Sequence, residues 1–120
     1  MWNPFQHKKA SISTEQKKKQ ARAIALKKLA SISKNKDQQK TIIELQTLLH
    51  EFLKTYFTIR SAVTNEELAD EIFKKKIDHY LKKKTLRVLE RINEARYCLE
   101  HSNQEIKALI EDAQHIITLL

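Results

Sequence analysis

Glycine does not occur anywhere in the 120 residues of this chain. Glycine supplies the positive-φ positions of hairpin turns and of loops that cradle phosphates. A sheet protein with several tight turns is therefore ruled against. P-loops, dinucleotide fingerprints and nucleophile elbows are excluded outright, because each needs glycine at a fixed spacing. Helix is what remains. The length suits one domain, and 41% apolar with 32% charged residues describes a globular chain with a heavily solvated surface.

The net charge of +8 is unevenly placed. In residues 1–40, eleven lysines and arginines face only Glu15 and Asp37, which makes +9, and residues 41–120 carry −1. Such asymmetry points to a polyanion: lipid headgroups, nucleic acid or an acidic protein. Cys98 is the single cysteine, so no internal disulfide can form and a reducing compartment fits. It is expected to be a small buried hydrophobe near a helix end. No run approaches the roughly 18 apolar residues of a membrane span, and no signal peptide opens the chain.

Residues 1–12, with Trp2, Pro4 and Phe5 ahead of Lys8 and Lys9, read as a basic lead-in, and residues 13–120 as the bundle. Ser13 with Gln16 has capping-box spacing and predicts the start of a first helix, with Ala21, Ile24, Ala25, Leu29 and Ile32 inward. Asp37 predicts the cap of a second helix reaching Phe57. Its arc of Ile42, Leu45, Leu49, Phe52, Leu53 and Tyr56, widened by Ile43, Leu48 and Phe57, places it at the centre. Residues 58–63 predict a packed connection. Thr64 with Glu67 opens a third helix with Leu68, Ala69, Ile72 and Phe73 inward. A fourth runs from Asp78 to about Leu99, its stripe interrupted by Thr85. Ser102 with Glu105 opens the fifth. The predicted fold is all-α, a single compact bundle of about five helices with short connections.

His7, His50, His79, His101 and His115 include no i, i+4 pair and no HExxH, so neither metal nor cofactor is expected. Three lysine groups are candidate contact surfaces. Lys8, Lys9, Lys17, Lys18, Lys19, Lys27 and Lys28 would meet anionic lipid or an acidic partner, and Lys74, Lys75, Lys76 with Lys82, Lys83, Lys84 would form a docking patch. Lysine dominates over arginine and most aromatics fall on core stripes, which counts against nucleic acid.

Arg96-Tyr-Cys-Leu-Glu-His101 resembles the Arg-x(4–6)-His signature of HEPN ribonucleases. That resemblance implies a metal-independent nuclease in which Arg96 and His101 meet at a dimer cleft and assist 2′-OH attack on an RNA phosphate.

A longer resemblance covers residues 17–119. Ala21-Arg-Ala-Ile-Ala-Leu-Lys-Lys-Leu29, Leu49-His-Glu-Phe-Leu-Lys-Thr-Tyr-Phe57, Thr64-Asn-Glu-Glu-Leu-Ala69 and Leu89-Glu-Arg-Ile-Asn-Glu-Ala-Arg-Tyr97 follow one another in order. Together they resemble the C-terminal cytoplasmic region of BatD-type aerotolerance proteins and related tails from MoxR ATPase/von Willebrand A-domain operons. The chain departs from that family in having no membrane span and little arginine. The resemblance implies a preceding membrane helix ending near Trp2, Pro4 and Phe5, and a place at the cytoplasmic face of a bacterial inner membrane. It also implies a basic stretch on anionic headgroups and a MoxR-type or von Willebrand A-domain protein as partner. The leading expectation is a non-enzymatic protein-interaction domain. The nuclease and a basic nucleic-acid-binding bundle stand as alternatives.

Overall fold

The computed structural model describes the backbone of residues 4–60, 64–98 and 100–120, with side chains from residue 15 onward. Within these the chain forms five α-helices and no strand. They are α1 (Pro4–Ile32), α2 (Gln38–Phe57), α3 (Asn65–Phe73), α4 (His79–Arg96) and α5 (Asn103–Leu119).

Four starts follow from local side-chain chemistry. The Asp37 carboxylate accepts from the Lys40 N–H, Asp78 from Leu81, and the Ser102 hydroxyl from Glu105. Thr64 and Glu67 close a full reciprocal capping box. Each satisfies an otherwise orphaned helix donor, a contribution of about 1 kcal/mol. The start expected at Ser13 is different. Helix α1 begins at Pro4, because proline suits the first helical position, and residues 5–12 contain no further proline or any glycine. Ser13 therefore lies inside the helix, and the lead-in backbone is continuous with it. Helix α4 ends at Arg96, earlier than expected. Trp2, the side chains of Phe5, Lys8 and Lys9, and Leu99 lie outside the described residues.

Helix α2 touches each of the other four. Ile42, Leu45, Leu49 and Leu53 on it are fully enclosed, as its wide apolar arc requires. Helix α1 packs on α2 and α5 through a narrow stripe of Ala21, Ala25, Leu29 and Ile32. Leu68 and Ile72 seat α3, Val88, Leu89 and Ile92 seat α4, and Ile106, Leu109, Ala113, Ile116 and Ile117 seat α5. Thr85 is fully buried, and its hydroxyl donates to the Leu81 carbonyl at 2.8 Å, so the break in the α4 stripe is satisfied within its own helix.

Four apolar side chains depart from their expected places. Ile24 is 53% exposed and Ile43 40% exposed. At 3.6 residues per turn Ile24 lies about 60° from Ala21, beyond the stripe α5 and α2 cover. Phe73, last in α3, is 67% exposed, one residue past the inward Ile72. Cys98, expected to be buried, is exposed in the α4–α5 connection. That connection is tied down by backbone and His101 contacts, leaving no core position for the thiol.

Candidate functional site

The lysines of α1 stand where the narrow stripe leaves them. Lys17, Lys19, Lys27 and Lys28 are exposed. Lys28 pairs with Glu51 at 3.6 Å, and the Lys18 ammonium sits 4.9 Å from the centre of the Tyr56 ring. Arg22 turns inward and donates to the Ile117 carbonyl at 3.2 Å, placing a cation at the negative end of α5. Lys17, Ile24 and Lys28 line a shallow groove against Leu48 and Glu51 of α2.

The expected docking patch of Lys74–Lys76 and Lys82–Lys84 divides into two directions. Lys82 folds toward α3, donating to the Phe73 carbonyl at 2.9 Å and standing 5.5 Å from the Phe73 ring centre. Lys74 pairs with Glu71. Lys83 and Lys84 turn instead toward α5, lining a groove with Tyr80, Arg87, Arg91 and Asp112. Lys84 meets His115 at 3.3 Å, and Arg91 pairs with Asp112 at 2.6 Å.

Arg96 and His101 take separate partners. His101 tucks its ring under the end of α4, with 5% of its side chain exposed, and Nε2 contacts the Ala95 carbonyl at 2.8 Å. Its Nδ1 is 3.5 Å from Glu105. Arg96 reaches the other way, its Nη1 donating to Gln46 Oε1 at 2.8 Å. No hydrogen bond joins the two among the described residues.

What Arg96 does join is a polar pocket of about 290 Å3 at the meeting of α2, α3 and α4. Gln46, Thr47 and His50 reach it from α2, Thr64 and Asn65 from the start of α3, and Asn93, Arg96 and Tyr97 from α4 and its end. Gln46 is 5% exposed and uses both ends of its amide. Its oxygen accepts from Arg96, and its nitrogen donates to Asn93 Oδ1 at 2.9 Å. His50 Nε2–H donates to Asn65 Oδ1 at 2.8 Å. Burial holds the His50 pKa below 6.5, opposed by the Asn65 hydrogen bond and reinforced by the charges of Lys54 and Arg96. No carboxylate lines the pocket, and Arg96 has no ion pair among the described residues.

Of the lining residues, spacing in the sequence marks only Arg96 as a candidate site residue, and His50 stands only as one of five histidines without a metal partner. No motif links His50, Gln46, Asn65 and Asn93 to one another or to Arg96. Among the described residues there is no group of His, Cys, Asp and Glu able to hold a metal ion, and no helix is long and apolar enough to cross a membrane. No family model, curated protein or solved structure matches the chain.

Proposed function

We propose that this chain is a non-enzymatic docking module, held against an anionic lipid surface by α1 and presenting the rest of the bundle to a protein partner. One observation carries the reading. Helix α1 holds eight basic residues and one acid, Glu15, and among its described side chains the buried ones are a narrow stripe of Ala21, Ala25, Leu29 and Ile32. So narrow a seam leaves most of the cylinder free for cations. The exposed Ile24 lies between Lys17 and Lys28 on the same groove, giving an apolar contact amid positive charge, the pairing that interfacial helices use. The resemblance to BatD-type tails supports a membrane-adjacent place and a MoxR-type ATPase or von Willebrand A-domain protein as the partner.

Co-sedimentation with lipid vesicles tests this. The protein should pellet with vesicles containing phosphatidylserine, release as salt rises, and ignore pure phosphatidylcholine. At about 1 kcal/mol per lysine near the surface, the triple change Lys17→Glu, Lys19→Glu, Lys27→Glu should weaken binding at least a hundredfold. Equal binding to neutral vesicles, or an unaffected triple variant, defeats the proposal.

A further inference from the structure

The pocket between α2, α3 and α4 is separate from the α1 surface, and its chemistry points elsewhere. Its lining combines a guanidinium, an imidazole, three side-chain amides and two threonines, with no acid to balance the charge. Arg96 is held by a buried strut: Gln46 is fixed by Asn93 and in turn fixes one Nη of the guanidinium. The remaining guanidinium N–H groups are available to a ligand. His50 is fixed through Nε2 by Asn65, leaving Nδ1 as the site of protonation. Tyr97, next to Arg96 in the chain, stands 76% exposed at the rim. A volume of about 290 Å3 lies just under the usual range of ligand pockets, ~300–1,000 Å3.

We propose that this pocket binds a phosphate monoester that also carries an aromatic ring, the chemistry of a mononucleotide. Arg96 and His50 meet the phosphate, and the Tyr97 ring stacks on the base. Guanidinium N–H groups fit the geometry of phosphate oxygens. Stacking on a tyrosine face accepts any base. The groups facing His50 agree with an anion site: Lys54 on its own helix and Arg96 on α4 are both cationic, and α3 contributes the neutral Asn65. Burial lowers the imidazole pKa and both cations lower it further, so an arriving dianion should raise it.

The test is an NMR titration of the 15N-labelled chain with adenosine 5′-monophosphate, ribose 5-phosphate, inorganic phosphate and adenosine. The amides of Asn65 and Tyr97 should shift with all three phosphates, with the nucleotide binding tightest, and adenosine should leave them in place. The His50 imidazole should titrate at higher pH once the nucleotide is bound. Arg96→Gln should weaken binding roughly ten- to a hundredfold, the range expected for a charge-assisted hydrogen bond. Tyr97→Ala should bring the nucleotide down to the level of ribose 5-phosphate. Thr47→Glu places a carboxylate on the exposed rim, leaves the Arg96–Gln46–Asn93 chain intact, and should abolish binding even if Arg96→Gln disturbs the fold. Lys107→Gln, exposed on α5 and away from the pocket, should change nothing. The proposal is overturned if no phosphate shifts these amides. Equal weakening by Lys107→Gln and Thr47→Glu also overturns it, since that is diffuse surface attraction. Equal binding of nucleotide and ribose 5-phosphate removes the stacking role of Tyr97.

Discussion

His50 is a histidine that the fold keeps neutral. Its pKa is lowered in the folded chain, chiefly by burial, so between that lowered value and 6.5 the unfolded chain binds more protons than the folded one. The stability this contributes is complete above pH 6.5 and is lost as pH falls through the folded-state value. Urea unfolding on either side of pH 6.5 should show the loss, and His50→Gln should flatten that part of the profile. An unchanged profile in the variant would assign the acid sensitivity to other groups. The residue also shows why the pocket was hidden in the sequence. His50 and Asn65 are 15 positions apart, Gln46 and Asn93 47, and Gln46 and Arg96 50. No local pattern connects them, because the link is made only when α2, α3 and α4 pack. The Arg96–His101 spacing was local and visible, yet the two side chains turn to different partners.

At the scale of the helix, the caps at Asp37, Thr64 and Ser102 were legible because their chemistry spans three residues, whereas the same spacing at Ser13 marks no start. Asp37, Thr64, Asp78 and Ser102 each bond a donor within one turn. The end of α2 falls at Phe57 as expected, but the way the chain leaves it was not legible. Thr58 adopts φ 54°, the left-handed cap position that glycine usually fills. The Ile59 N–H closes the turn on the Lys54 carbonyl at 2.8 Å, and Ile59 then buries its side chain. A residue with a Cβ in this region costs about 1–2 kcal/mol. Glycine would remove that strain but add back about 0.5–1 kcal/mol of unfolded-chain entropy. Thr58→Gly should therefore stabilise the protein by about 0.5–1 kcal/mol, read as a higher midpoint in urea. A destabilised variant would mean that the threonine side chain makes a contact worth more than the strain. Ile24, Ile43 and Phe73 mark the limit of periodicity. Spacing names a stripe, but how wide an arc is covered depends on which neighbours arrive.

Across the whole molecule, stability runs through α2, since every other helix packs on it. Leu49, fully buried, lies in the middle of that helix. Leu49→Ala should cost about 3 kcal/mol from lost burial and the cavity left behind, lowering Tm by roughly 10 °C for a domain of this size. A loss below about 1 kcal/mol would mean that the neighbouring helices collapse into the space. The all-α architecture was readable from the missing glycine and the apolar stripes, as was the central place of α2. The exposure of Cys98 was not, because its position depends on how the α4–α5 connection is tied. That exposure has a practical side. The chain offers thiol chemistry a single address, one residue from Tyr97 and the rim of the polar pocket. A fluorophore attached there would sit beside the pocket without altering Arg96 or His50. In air, the same sulfur can join two copies covalently, so a dimer that disappears with reductant is a product of oxidation rather than of helix packing.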